Sequence, residues 1–329
     1  MREVIGVLRG GPSSEYEVSL KSGASVLEAL DHEKYDPRDI FISRKGQWHV
    51  HGVPVTPEAA LRGVGVVFNV IHGEYGEDGQ LHRILDAFGV PYTGAGAAAS
   101  TLAFNKQRTR DAVKELGVKV AHGIVVDHPP SGGPAVEEIA HQIFRSFPHP
   151  AVIKPVIGGS SVGVTMADSF DKLVQGLERA WQIAPQALVE EYIAGKEATV
   201  GIIDNFRDEK TYALMPVEII PPSENPFFDY DAKYSGETIE RVPGSFTQKE
   251  SQELMRIAKL VHEKLGMSHY SRSDFIVGKR GIYFLEINSA AAVGLTKESL
   301  LPKAVYAVGA KLSDFLEHII NLARGQKTR

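Results

Sequence analysis

Residues 4–30 read VIGVLRGGPSSEYEVSLKSGASVLEAL, and this stretch sets the architecture of the N-terminal third. The apolar run Val4–Leu8 predicts a strand, Gly10–Ser14 a turn, and Val18–Leu30 a helix with a largely apolar face. The same alternation continues outward. Strands are predicted at Asp39–Ser43 and Val64–Ile71, a helix at Gln80–Phe88, and a short strand at Val90–Thr93. Val64–Ile71 is nearly all apolar, so it is expected to be buried on both faces. Strand–helix–strand alternation predicts an α/β fold with an open, mostly parallel sheet, whose ligands sit at the carboxyl ends of the strands.

Beyond residue 96 the pattern changes. Thr101–Leu116 predicts one long helix closed by Gly117. Strand, helix and strand follow at Ile124–Val126, Val136–Phe147 and Ala151–Lys154, then a helix at Phe170–Trp181 and a strand at Ala187–Glu191. The last third is richer in consecutive strands: Ala198–Ile203, Tyr212–Ile220, Ser273–Val277 and Ile282–Ile287. That gives it an α+β character. Pro221–Gly244 is long and irregular, and loops of that length are usually functional or disordered. Thr247 and Glu250 have capping-box spacing.

The chain has 329 residues, too many for one ordinary domain of roughly 100–200. It is 43% hydrophobic and 23% charged, the balance of a globular protein. A net charge of -5 supplies no basic field for nucleic acid. No apolar run is long enough for a membrane span, and MREVIGVLRGG reads as a strand rather than a signal peptide. Cysteine is absent, which excludes disulfides, thiolate zinc sites and a cysteine nucleophile. A cytoplasmic enzyme is expected.

Four segments could carry chemistry. In the hairpin around Gly278–Gly281, Arg272 and Asp274 share one strand face, and Glu286 and Asn288 share one face of the partner strand. Phe275, Val277, Leu285 and Ile287 would form the core face. Two carboxylates and an amide suit a hard cation such as Mg²⁺; a solvated hairpin face with a cross-strand Arg–carboxylate pair is the plainer alternative. Lys154 ends a strand, and residues 155–163 (PVIGGSSVG) follow as a small-residue loop that could lie over phosphates or be an ordinary turn. Gly10–Glu15 places a carboxylate at a helix start, for function or for capping and helix-dipole stabilisation. His72–Gly79 (HGEYGEDG) follows a buried strand, as a site loop or a polar surface loop. Residues 94–99 (GAGAAA) look like a dinucleotide fingerprint. They are not the first strand–helix turn and lack the downstream acidic residue, so a tight turn is the better reading.

Taken together, the segments GGPSSEYEVSL (10–20), IHGEYGEDG (71–79), PYTGAG (91–96), IKP with GGSSVG (153–163), GKEATVG (195–201), YDAKY (230–234), SRSDF (271–275), LEIN (285–288) and ESLLP (298–302) resemble the D-alanine–D-alanine ligase family of the ATP-grasp superfamily. The resemblance implies a three-domain ATP-grasp fold, with domains at 1–96 (N-terminal, substrate-binding), 97–188 (central) and 189–329 (C-terminal, catalytic). It implies ATP and Mg²⁺ or Mn²⁺, two ions, as cofactors, D-alanine as substrate, a role in peptidoglycan synthesis, and a homodimer. By position, Asp274, Glu286 and Asn288 correspond to the metal ligands. Lys106 and Lys154 correspond to the cations on the ATP phosphates. Glu190, the backbone of Glu191, Tyr192 and Ile193, and Glu197 correspond to the adenine and ribose contacts. Glu15 would hold the first D-alanine's ammonium and link with Ser160 and Tyr234, with His72 nearby. Lys233 and Tyr234 lie in the long 221–244 segment, which would exclude water. Arg272 and the backbone of Gly294 would hold the oxyanion, and Ser299 and Leu300 the second D-alanine's carboxylate.

The sequence also departs from the family pattern. Residues 288–296 (NSAAAVGLT) are longer than the family's N-T-x-P-G-[LM]-T by two and lack its proline. Ile157-Gly158 replaces a common Arg-Glu, and Asn105 a common aspartate. These differences keep a ligase with another second substrate in view. A catalytically silent ATP-binding protein is a further reading, opposed by the presence of Asp274, Glu286 and Lys154.

Overall fold

The structure is a computed structural model that describes residues 2–159, 162–221 and 238–325. Three sheets organise it. The first holds β1 (Glu3–Gly10), β2 (Tyr35–Ile42), β3 (Trp48–Val50), β4 (Val53–Val55) and β5 (Val66–Asn69), in the order β4-β3-β2-β1-β5. β1 runs parallel to β2 and β5, as strand–helix alternation requires. β3 and β4 add an antiparallel edge that the sequence reading passed over. Alternate residues of β1 and β5 feed two cores. Ile5, Val7, Val66 and Phe68 pack with Phe315 and Ile319 of the helix Leu312–Gly325. Leu8 and Val67 pack with Leu81 and Leu85 of the helix Gln80–Ala87. The sheet is therefore covered on both sides, and the C-terminal helix is one of its covers.

The second sheet holds β6 (Gly123–Asp127), β7 (Ala151–Pro155), β8 (Thr165–Ala167) and β9 (Gln186–Glu191), in the order β6-β9-β7-β8. All three pairings are antiparallel. Helices Val136–Ser146 and Phe170–Ile183 cover one face, where Ala151, Ile153, Ala187 and Val189 are buried. Intervening residues Val152, Lys154 and Glu190 turn to the opposite face, which lines a cleft.

The third sheet is antiparallel throughout: β10 (Gly195–Phe206), β11 (Glu209–Ala213), β12 (Val217–Ile220), β13 (Ile239–Arg241), β14 (Tyr270–Gly278) and β15 (Gly281–Ser289). The order is β13-β12-β10-β14-β15, with β11 also on β10. Behind it lies the helix Gln248–Lys264, opened by the capping box of Thr247 and Glu250 with both bonds present. Gly278 pairs with Gly281, so the GKRG hairpin forms as read.

Three expectations change. Residues 101–116 are not one helix. Helices Ala97–Phe104 and Lys106–Glu115 meet at Asn105, which is extended and accepts a bond from the Arg108 amide to cap the second. Residues 212–220 split into β11 and β12 around Pro216, whose missing N–H cannot serve a ladder. Residues 90–93 give only a bridge, Val67 to Tyr92. Among the described residues, no helix is long and apolar enough to cross a membrane.

Candidate active site

A cavity of about 310 Å³ lies where the second sheet faces the third. One wall is cationic. Lys154 projects from β7, and Lys106 opens the helix that begins after the Asn105 break. The break has a function here: the Lys106 amide bonds the Val156 carbonyl at 2.8 Å, and its ammonium donates to the Gly158 carbonyl, tying this helix start to the 155–163 loop. Glu190 of β9 is buried between Lys154 and Arg110 and contacts both. Burial pushes the Lys154 ammonium down to about 7, and the Lys106 and Arg110 charges act in the same direction against Glu286. Burial likewise lowers Arg110 to about 10.

The opposite wall is the β14–β15 hairpin. Asp274 accepts two bonds from Arg272, Nε at 3.0 Å and Nη2 at 2.9 Å, one from Asn288 Nδ2 at 3.0 Å, and one from the Thr199 hydroxyl. Asp274 and Glu286 are direct cross-strand partners. Two carboxylates in that position repel unless cations lie near them. Arg272 meets Asp274, and Lys106 approaches Glu286 at 3.8 Å. The Arg–carboxylate pair forms within β14 and not across the strands, and its two residues are buried, which departs from the plainer reading. Among the described residues no three His, Cys, Asp or Glu side chains form a metal cluster. The donor set is instead two carboxylates and an amide, which suits a hard cation that takes further oxygens from a bound phosphate.

The expected core face of the hairpin needs correction. The pairing register shifts between Asp274 and Phe275, so Phe284, not Leu285, pairs with Phe275. Phe275, Phe284 and Ile287 enter the core, whereas Leu285 lines the cleft with Ile276. A β-bulge puts one extra residue in β15, and bulges re-aim side chains beside functional sites.

At the end of the cleft lie the loops of the first sheet. Glu15 occupies the N-cap of the helix Tyr16–Ala29 but makes no side-chain cap bond, so of the plainer roles only the helix dipole stays open to it. Its carboxylate lies against Gly159: a Cβ there would stand 2.5 Å from Glu15 Oε2, so a larger residue would displace the Glu15 carboxylate from this position. His72 is buried, with Nε2 3.2 Å from Ser22 Oγ and its carbonyl accepting from Ser13 Oγ at 2.6 Å.

Around the turn after β9, the amide of Glu191 bonds His122 O at 2.8 Å and that of Tyr192 bonds Pro150 O at 3.1 Å. Ile193 and Glu197 line the cleft there. At the other end, Leu300 lines the cleft and Ser299 Oγ bonds Thr296, its N at 3.2 Å and Oγ1 at 2.8 Å. Gly294 packs against Ser299. The longer 288–296 loop contains a 3-10 turn, Ala290–Ala292. A Cβ on Gly94, whose φ is +98°, would come within 2.6 Å of the Ala290 Cβ, so this turn is seated on the PYTGAG segment. Ser160, Lys233 and Tyr234 lie outside the described residues.

The family descriptions "D-ala D-ala ligase N-terminus" and "D-ala D-ala ligase C-terminus" match residues 4–58 with 51–95, and 113–321. The chain belongs to the D-alanine–D-alanine ligase family. It is 36% identical over 320 residues to the D-alanine–D-alanine ligase of Geobacter sulfurreducens, covering 96% of this chain and 92% of that one. Against the Syntrophobacter fumaroxidans ligase it is 34% identical, covering 97% of each chain. The solved VanG D-Ala:D-Ser ligase of Enterococcus faecalis superposes with a TM-score of 0.81 at 27% identity, over 98% of this chain and 100% of that one. The Coxiella burnetii D-alanine–D-alanine ligase structure, 23% identical, shares the fold at a TM-score of 0.81 over 98% of this chain and 94% of that one.

Three further residues of the site went unassigned in the sequence. Arg110 sits one helical turn after Lys106, a spacing that places both on one face and gave a usable signal. Glu77 accepts the Gly73 amide at 2.7 Å, and its buried carboxyl is pushed well above the usual range by burial and then by the Glu15 charge. Glu218 lines the cleft and is held by Ser245 N at 2.8 Å and Arg241 at 3.3 Å. Neither glutamate has a spacing that announces it.

Proposed function

We propose that this chain joins two D-alanine molecules with ATP, through a D-alanyl phosphate, to give D-alanyl-D-alanine, ADP and phosphate for peptidoglycan synthesis. The observation that carries this reading is the cleft itself: a cationic wall of Lys106 and Lys154 faces the carboxylate–amide wall of Asp274, Glu286 and Asn288. A carboxylate is a poor electrophile, because attack by an amine would have to expel oxide; ATP supplies the phosphate that becomes the leaving group, and Mg²⁺ or Mn²⁺, two ions, would screen its charge. Asp274, Glu286 and Asn288 would hold the ions.

The protein's part is positioning and charge neutralisation. Lys106 and Lys154 face the phosphates. Glu190 and Glu197, with the turn Glu191–Ile193, frame the adenine and ribose. The committed amides of Glu191 and Tyr192 leave the other backbone groups of that turn for the base edge. Glu15 holds the ammonium of the first D-alanine, with His72 beside it and Ser160, Lys233 and Tyr234 completing the enclosure. Arg272 and the Gly294 backbone hold the oxygen that gains charge as the amine attacks. Ser299 and Leu300 receive the carboxylate of the second D-alanine. The domain division 1–96, 97–188 and 189–329, a homodimer and a cytoplasmic location belong to the same proposal.

The near-full-length relatives favour D-alanine over another acceptor. Phosphate release from ATP and Mg²⁺ should depend on D-alanine, with the dipeptide identified by mass. ATP binding without release, whatever amino or hydroxy acid is added, would make the protein a binder and not a ligase.

A further inference from the structure

Lys303 stands outside the machinery described above, yet it joins two segments that flank the acceptor end of the cleft. Its ammonium lies 3.0 Å from Glu240 Oε2 on β13 and 3.3 Å from Glu298 Oε2 on the loop before the helix Leu300–Ala307. Its amide bonds the Ser299 carbonyl at 3.2 Å, so it closes the turn that carries Ser299 and Leu300. Successive residues of β13 point to opposite sides. Arg241 reaches Glu218 on the cleft wall, and Glu240 reaches Lys303. Glu240 is 19% exposed and adds its field to those of Asp274 and Glu286 at the buried Arg272.

We propose that Lys303 is a positioning residue for the second amino acid. It clamps the Ser299–Leu300 turn to β13 and neutralises Glu240 and Glu298. Left uncompensated, the partly buried Glu240 would repel the acceptor's own carboxylate, whereas Glu298 is exposed and screened by solvent. Glu240 would also draw on the charge of Arg272, which the reaction needs. This assignment rests on the ligase reading above.

The two halves of the role, clamp and neutraliser, separate by substitution. Lys303→Met should raise the Michaelis constant for the second D-alanine about tenfold. The constants for ATP and for the first D-alanine, and turnover at saturation, should stay within about twofold. Lys303→Arg should behave as the unsubstituted enzyme, because guanidinium spans both carboxylates. Lys303→Met with Glu240→Gln should recover part of the loss, the share due to the Glu240 charge, while the share due to the lost clamp stays.

An unchanged second-substrate constant in Lys303→Met would overturn the proposal. So would a rise in all three constants together, which marks general disruption, or a failure of Glu240→Gln to restore affinity. If the unsubstituted enzyme makes no dipeptide from D-alanine while it hydrolyses or binds ATP, the ligase reading fails first and this assignment falls with it.

Discussion

Two pairs of carboxyl groups border the cleft, and they are treated in opposite ways. Asp274 and Glu286 face each other across the β14–β15 ladder, and cations and donors surround them: Arg272, Asn288 and Thr199 on Asp274, Lys106 near Glu286. Glu15 and Glu77 sit on loops of the parallel sheet, both buried, and the field of one raises the pKa of the other. The hairpin pair is surrounded by donors and cations that offset its charge. Around the loop pair, burial and then the Glu15 charge raise the affinity of Glu77 for a proton. Carboxyl groups of one chemical type thus take two roles, set by donors and burial.

Removing charge from the hairpin should do the most damage. Asp274→Asn should lower turnover by about 10²–10³-fold, read in a coupled phosphate assay with the fold checked by circular dichroism. A loss under tenfold would deny that the hairpin carries the ion.

Burial also strips charge from a neighbour of the loop pair. His82 is pushed down to about 4 by burial, with Ser100 Oγ 3.3 Å from its Nε2. Its pKa is lower folded than unfolded, so between about 6.5 and 4 the unfolded chain binds the extra proton. Stability should therefore be lost as pH falls through that window, by up to about 3 kcal/mol. Urea titrations of the protein and of His82→Gln should diverge there; parallel curves would contradict it.

Lys154 makes the same argument on the cationic wall. With its ammonium at about 7, it is protonated below that pH and neutral above it. ATP affinity should weaken as pH rises through 7, by up to about tenfold per unit, and Lys154→Arg should flatten the profile. A flat profile in the unsubstituted enzyme would show that Glu190 keeps Lys154 charged. The smallest effect is expected at Glu77. Glutamine mimics a protonated carboxyl, so Glu77→Gln should keep activity within about threefold. A loss like that of Asp274→Asn would mean that Glu77 works as an anion, and the contrast between the pairs would collapse.

Sequence periodicity carried the parts of this picture that depend on near neighbours. Alternation along a strand put Arg272 with Asp274 and Glu286 with Asn288, and strand–helix alternation gave the parallel core of β1, β2 and β5. Two local features escaped because a single residue decides each. Asn105 caps a new helix inside a run of good helix formers, and one extra residue in β15 turns Leu285 out of the core. The remaining features are long-range. Arg110 meets Glu190, Glu77 responds to Glu15, and Lys303 joins Glu240 to Glu298. No spacing rule links residues on separate elements; only the packing of those elements does.

The central claim is that the cleft activates a carboxylate by phosphorylation, and an isotope experiment tests it most directly. D-alanine labelled with oxygen-18 in its carboxyl group would be supplied with ATP and Mg²⁺, and the released phosphate and the dipeptide weighed. The account predicts D-alanyl-D-alanine together with one labelled oxygen in the phosphate, because the carboxylate oxygen leaves with the phosphoryl group. Label in AMP, or dipeptide formed with unlabelled phosphate, would contradict it.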